Sequence, residues 1–301
     1  MKDSVLTSVV LPAALFLIML GMGLSLTLGD FKRVAEVPRS AIVGLICQLL
    51  ILPLVAFGLI HAFGMTGALA VGMMIIAACP GGVTSNLITH VSRGDTALSI
   101  TLTAITSFIT VFSIPLIVSF ALSSFMGAEQ SVELPVVKTI LQVVAITILP
   151  VSIGMAIRHK SLTFAEKMER PSRIASTIIF ILITIGVILA NKQVIKDHFL
   201  SLAGVTVSLN VLTMIIGFGA AFLARLPARQ MRTISIEAGI QNGTLAIVIA
   251  TTIIKNGEMA LPGGVYSLVM FATGGLMMAY GAFFAGKKEE VPAAQVGSEA
   301  G

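Results

Sequence analysis

The chain has 301 residues, of which 56% are hydrophobic and 11% charged, with a mean hydropathy of +1.01. A soluble domain carries about 25% charged residues, so this composition excludes one and points to an integral membrane protein. The net charge of +5 comes from basic residues in short connections between apolar runs, an orientation signal and not a nucleic-acid patch, and no nucleic-acid partner is expected.

The apolar residues fall into runs of roughly 20, the length of helix that crosses a hydrocarbon core. The period-two alternation of an outer-membrane barrel is missing. Residues 1–8 are too short and too weakly basic for a separate targeting segment, and the first run has no small-residue cleavage site. That run, 9–28, is expected to be a retained first span. The second is 41–63, with Gln48 inside it and a kink expected at Pro53. The third begins near Gly67, is interrupted by Cys79-Pro80-Gly81-Gly82, and resumes through Thr84, Ser85 and Asn86 to about Val91. The fourth, 96–125, is expected to kink near Pro115. After a loop with Glu129 and Glu133 come the fifth span at 135–157, a basic loop at 158–173, the sixth at 174–190 and the seventh at 199–224. The eighth, 228–254, carries a second break around Gly239 to Gly243, and the ninth is 261–285. Residues 287–301 read as a polar, disordered cytoplasmic tail.

The expected fold is thus an all-α membrane protein with nine transmembrane helices. The connections divide into two alternating sets, and one set holds fourteen of the nineteen Lys and Arg residues. The positive-inside rule then puts the N-terminus outside and the C-terminus in the cytoplasm. If the fifth span is left unpaired, spans one to four align with spans six to nine in opposite orientation, and the two breaks coincide. An inverted repeat with paired Gly- or Pro-interrupted helices marks a transporter site near the membrane midplane.

Glu237 is the one carboxylate far from any loop, and a charge deep in a bilayer costs at least about 2.5 to 3.5 kcal/mol, so it calls for a partner or a cavity. At 1.5 Å per residue from the cytoplasmic helix ends, Gln48, Ser85, Asn86, Thr103 and Glu237 all lie roughly 9 to 14 Å deep, with Ser99 one turn from Thr103 on the same face. This layer offers hydroxyl, amide, carboxylate and freed backbone oxygens. Without His or thiolate it disfavours zinc, copper or iron, and a single carboxylate suits Na⁺ or H⁺ better than Mg²⁺ or Ca²⁺. Cys47 and Cys79 lie within spans and give neither a disulfide framework nor metal-finger spacing. The half-helices starting near Gly82 and Gly243 present positive ends to an anionic substrate group.

Two stretches, Cys79-Pro-Gly-Gly-x-x-Ser-Asn86 and Glu237-x-Gly-x-Gln-Asn242, resemble the bile acid:sodium symporter family, as does Arg93-Gly94 ahead of a Ser/Thr-rich helix. The resemblance covers nearly the whole chain. It implies one sodium held by Ser85, Asn86, Ser99, Thr103 and Glu237. A second would be held by the side chains of Gln48, Glu237 and Gln241 and the carbonyls of Ala238 and Ile240. It also implies a core domain in two parts, 41–125 and 199–285, and a panel made of 9–28 and 135–190 that rocks against it. Relatives often have ten spans, and by this resemblance the chain lacks a counterpart of the first. Val83 stands where relatives often have Thr, and the stretch around Met270 is apolar where some carry polar residues, so the substrate contacts are those most open to change.

The expected function is sodium-coupled symport of an organic anion, of bile acid-like, pantoate-like or 2-oxo acid type, by alternating access across the inner membrane. Val83, Thr84, Asn242, Gly243 and Thr244 are expected to face the substrate. No cofactor beyond the coupling sodium ions is expected, and the partners are the anion, Na⁺ and membrane lipid. A proton-coupled antiporter or exporter of similar architecture is the alternative, weakened by the lack of a second intramembrane carboxylate or buried Lys. An intramembrane hydrolase would need a base near Ser85, and the four histidines sit at span ends. With no HExxH, GxSxG or Walker-type stretch either, no enzyme is expected.

Overall fold

The structure is a computed structural model and describes residues 10–126 and 135–283. Helix α1 is Leu11–Ser25, with Pro12 in its first turn, where the missing N–H has no intrahelical partner to lose. The chain then bends by 76° and restarts as α2, Leu28–Lys32. There the Asp30 carboxylate accepts hydrogen bonds from the N–H and the hydroxyl of Thr27, both at 2.7 Å. The first span therefore ends short of residue 28: the run is apolar enough to continue, but the Thr27–Asp30 cap satisfies the backbone in a bend.

The second span, Pro38–Ala62, consists of α3 (Pro38–Ile46), a π-helical turn at Cys47–Ile51 and α4 (Leu52–Ala62). Pro53 cannot supply an N–H to the preceding turn and crowds it. The wide turn just before it absorbs the misfit and contains Gln48. The expected third helix forms two pieces, α5 (Gly67–Ala78) and α6 (Val83–Val91). Helix α7, Thr96–Phe125, is capped by Asp95, which accepts from the Leu98 N–H at 3.1 Å, and it stays one helix through Pro115.

Beyond the described gap, the fifth run is divided at Thr147 (φ −120°, ψ −64°) into α8 (Val136–Ile146) and α9 (Ile148–Lys160). The expected basic loop at 158–173 is a correction. Arg158, His159 and Lys160 form the last turn of α9, and after Ser161 the chain is helical again as α10, Leu162–Ala190. Glu, Lys, Met and Arg are strong helix formers, so charge here marks where the helices leave the hydrocarbon and not where they end. Helix α11, Lys192–Leu223, likewise starts before the expected residue 199, with a non-helical His198 (φ −119°, ψ 18°) at its kink. The second broken helix is α12 (Ala228–Gly239) followed by α13 (Gly243–Val248) and a π turn at Ile249–Ile253. A short turn at Glu258–Ala260 leads into α14, Leu261–Phe283. Residues 1–8, Glu129, Glu133 and the 287–301 tail lie outside the described residues.

Among the described residues six helices are long and apolar enough to cross a membrane, seven if α1 and α2 form one bent span. The chain is an all-α, multi-pass membrane protein. Its outward faces fit that setting: α10 exposes Ile174, Ile178, Leu182, Ile185 and Leu189, and α7 exposes Phe108, Phe112, Leu116 and Phe120, stripes at helical spacing that lipid can cover. The centre is the reverse. Helix α5 is buried from Leu69 to Ala78, and α12 and α13 are buried from Arg232 onward.

Helix α5 packs against α4, α7 and α14, and α12 against α11, α7 and α6, while α1 packs mainly against α9 and α10. At one end of the bundle Arg232 donates to the Arg93 carbonyl at 2.8 Å and Thr233 accepts from the Asp95 N–H at 2.8 Å. These contacts place the loop after α6 and the start of α12 on the same side, as the charge pattern expects.

The contrast between the two kinds of face is measurable. Ile236→Ala, at a fully buried position, leaves a cavity and is expected to destabilise the detergent-purified protein by about 2–5 kcal/mol. Ile178→Ala, on the exposed stripe, leaves none, and its melting temperature should drop far less.

Candidate functional site

Both breaks arise from residues that cannot continue a helix. Pro80 has no N–H, and Gly81, Gly82, Gly239 and Gly243 weaken the helix on either side. The broken segments cross where Gly81 and Gln241 form an antiparallel bridge, and the Asn242 N–H donates to the Pro80 carbonyl at 2.8 Å. Extended backbone at this depth is tolerable only because protein surrounds it and each break supplies partners for the other.

Glu237, in the last turn of α12, is 1% exposed. Ser99 Oγ on α7 donates to its Oε1 at 2.5 Å, and Thr103 Oγ1, one turn on, donates to its Oε2 at 3.1 Å. Asn86 Oδ1 on α6 lies 2.8 Å from Ser99 Oγ and 3.5 Å from Thr103 Oγ1. Ser85 Oγ lies 3.5 Å from Thr103 Oγ1 and donates to the Gly82 carbonyl at 2.8 Å. The five residues assigned to the first ion position therefore meet in one cluster. Ser99 and Thr103 have one hydroxyl hydrogen each, and three acceptors compete for the two: Asn86 Oδ1 and both oxygens of Glu237. No basic side chain reaches Glu237 among the described residues, so the cluster is rich in oxygen and short of positive charge.

The second set adjoins the first: a Cβ on Gly81 would stand within 3.4 Å of Glu237 Oε2, Gln48 Nε2 and Thr103 Oγ1. Gln48 Nε2, from the π turn, is 3.5 Å from Gln241 Oε1, and Gln48 Oε1 is buried with no partner among the described residues. Gln241 Nε2 donates to the carbonyls of Glu237 at 3.2 Å and Ala238 at 3.1 Å. Ile240 is the buried residue between them, its N–H bonded to the Ile236 carbonyl. The residues are together, with the Gln241 amide covering the Ala238 carbonyl, one of the two that the resemblance gives to an ion. Among the described residues no cluster of three or more His, Cys, Asp or Glu occurs.

Val83, Thr84, Asn242, Gly243 and Thr244 all line one cavity of about 40 Å³, which is lined also by Ile18, Ser176, Phe180 and Met270. A larger cavity of about 310 Å³ shares Val83 and Ser176 with it and is lined also by Asn86, His90, Ser25 and Glu169. One expectation needs correction. At the tip of α13 the Gly243 N–H is taken by the Gln241 carbonyl and the Leu245 N–H by Asn242 Oδ1, both at 3.0 Å, so Asn242 caps its own helix and fewer amides remain for an anion.

Against protein families, residues 12–198 match the model of the sodium bile acid symporter family. The chain belongs to that family. Among its members, the "Ileal sodium/bile acid cotransporter" of Cricetulus griseus is 31% identical over 95% of this chain and 81% of its own length. The "Uncharacterized sodium-dependent transporter YocS" of Bacillus subtilis is 27% identical over 88% of this chain and 80% of its own. The "Probable sodium/metabolite cotransporter BASS1, chloroplastic" of Arabidopsis thaliana is 28% identical, and the chain spans 61% of that protein's length. The relatives' names describe transporters, in keeping with a chain that is not an enzyme.

Sequence reasoning missed Gly81 as a contact residue, the cavity-lining Ser176 and Phe180 on α10, and the pair Asn210 and Tyr266 beside the second break. Asn210 carried a usable signal, being an amide inside an apolar run, as Gln48 is. Gly81 carried one only in hindsight, because its role depends on what faces it. A Cβ there would stand 2.7 Å from Glu237 Oε2 and 3.1 Å from Gln48 Nε2. Gly81→Ala is therefore expected to destabilise by about 1–3 kcal/mol through overpacking, whereas Gly275→Ala, where a Cβ meets nothing within 4 Å, should leave the melting temperature nearly unchanged.

Proposed function

We propose that this chain is a sodium-coupled symporter of an organic anion, working by alternating access. The observation that carries the reading is the Glu237 cluster: a buried carboxylate and one amide oxygen share the two hydroxyl hydrogens of Ser99 and Thr103, two for three acceptors, with Ser85 beside them and no basic side chain among the described residues. A weakly held monovalent cation meets that demand, and Na⁺ takes an all-oxygen shell. On this reading Ser85, Asn86, Ser99, Thr103 and Glu237 hold one ion. Gln48, Gln241, Glu237 and the carbonyls of Ala238 and Ile240 hold another once the Gln241 amide turns its oxygen inward. The names of the relatives, which include sodium-dependent transporters, support sodium over protons.

On this reading the substrate's carboxylate lies near Thr84, Asn242 and Thr244 in the small cavity between the crossing point and helices α1 and α10, and its body extends into the adjoining cavity of about 310 Å³. Ile18, Ser176 and Phe180 would meet the part nearest the crossing point. Counting the two broken helices as spans gives nine, with the two halves related as an inverted repeat, the N-terminus outside and the C-terminus cytoplasmic in the inner membrane. The packing of α1 on α9 and α10 supports a panel of those helices, with α8, rocking against a core of the rest. The coupling then has a plain electrostatic basis: cations at Glu237 lower the cost of holding an anion at the crossing point, and the anion does the same for the cations.

In proteoliposomes, uptake of a transported organic acid should collapse when external Na⁺ is replaced by K⁺ at constant pH. Glu237→Gln should lower it at least about 100-fold, the scale on which a lost buried ion ligand acts. Uptake driven by a pH gradient in sodium-free buffer would sink the reading and favour a proton-coupled antiporter. A thermal-shift screen of organic acids with and without Na⁺ would identify the anion, since coupled ligands stabilise most when both are present.

A further inference from the structure

The end of a helix leaves its last four carbonyls without intrahelical partners, and at α12 each of them is accounted for. The Ile236 carbonyl accepts from the Ile240 N–H at 2.9 Å, and those of Glu237 and Ala238 accept from the Gln241 side chain. The fourth, Gly239, is served by two donors from other helices. Asn210 Nδ2 on α11 donates to it at 2.7 Å and the Tyr266 hydroxyl on α14 at 2.9 Å. Both residues are fully buried.

The arrangement has a cost that shows its direction. Asn210 Oδ1 is buried with no partner among the described residues, and leaving such an oxygen unsatisfied is unfavourable. Turning the amide over would set that oxygen against the Gly239 carbonyl, so the side chain is held in the orientation that serves Gly239. The approach is close as well: a Cβ on Gly239 would stand 2.3 Å from Met214 Cγ and 3.4 Å from Asn210 Nδ2. The Gly239 carbonyl and the Ile240 N–H belong to one rigid peptide plane, which is thus pinned at both ends. The carbonyls on either side of that plane are those of Ala238 and Ile240.

We propose that Asn210 and Tyr266 are positioning residues for the second cation position. By clamping the Gly239 peptide they aim the neighbouring Ala238 and Ile240 carbonyls, and so set the affinity for the coupling ion without touching it. This rests on the reading that those carbonyls bind sodium.

The test needs no substrate. The full-length protein in detergent is titrated with NaCl against choline chloride at constant ionic strength, and the Na⁺ concentration giving half of the thermal stabilisation is read. Tyr266→Phe keeps the ring and the bond from Asn210 to the Gly239 carbonyl while removing the hydroxyl's own bond to that carbonyl and its long 3.4 Å contact with Asn210 Nδ2. It should raise that concentration about 5-fold, the effect of about one lost hydrogen bond, with little change in the sodium-free melting temperature. Asn210→Ala should raise it further. Thr273→Val, whose hydroxyl bonds only within α14, should leave it unchanged. A Tyr266→Phe protein with unaltered sodium dependence, whether or not its melting temperature falls, would overturn the proposal and leave the sodium reading standing. A wild-type protein that Na⁺ does not stabilise at all would overturn the sodium reading and this proposal with it.

Discussion

A carboxylate inside a bilayer is the constraint from which most of this architecture follows. Glu237 cannot be left in hydrocarbon, and among the described residues no basic side chain is brought to it. What the chain supplies instead is oxygen, drawn from α6 and α7. To bring those groups within hydrogen-bond distance the helices must come very close, which is why Gly81 faces the carboxylate and why α12 is buried from Arg232 to its end.

The breaks answer a second problem created by the first. Interrupting a helix frees carbonyls and amides that cannot remain unpaired at that depth. The chain pairs them across the crossing point, with the Gly81–Gln241 bridge and the Asn242 N–H on the Pro80 carbonyl, and sideways to Gln241, Asn210 and Tyr266. Backbone satisfaction and ligand placement are therefore the same set of hydrogen bonds. A residue such as Gln241 serves both, bonding two carbonyls at the end of α12 while standing beside Gln48.

Much of this was legible in the sequence because the signals are strong and local. Proline and paired glycines within apolar runs announced both breaks, and a lone Glu with hydroxyls at matching depth announced the cluster. Depth counting worked because helical rise is constant. The failures have equally physical causes. The basic stretch at 158–173 reads as a loop if charge is taken to end a helix, yet its residues are good helix formers. The bend after Ser25 depends on a Thr27–Asp30 cap whose worth is hidden inside an apolar run. Asn210 and Tyr266 were passed over because their role is to satisfy one carbonyl, and no single residue in the sequence tells which carbonyl will need it.

The crossing point has a mechanical consequence. One backbone bridge, reinforced by the Asn242–Pro80 bond, fastens two segments that are otherwise far apart in sequence. It acts as a rivet and not as a hinge: neither break can shift without dragging the other. On the proposed transport cycle, displacement falls at the boundary where α1 and α10 border the cavity, and the Glu237 cluster moves, or stays still, as one piece.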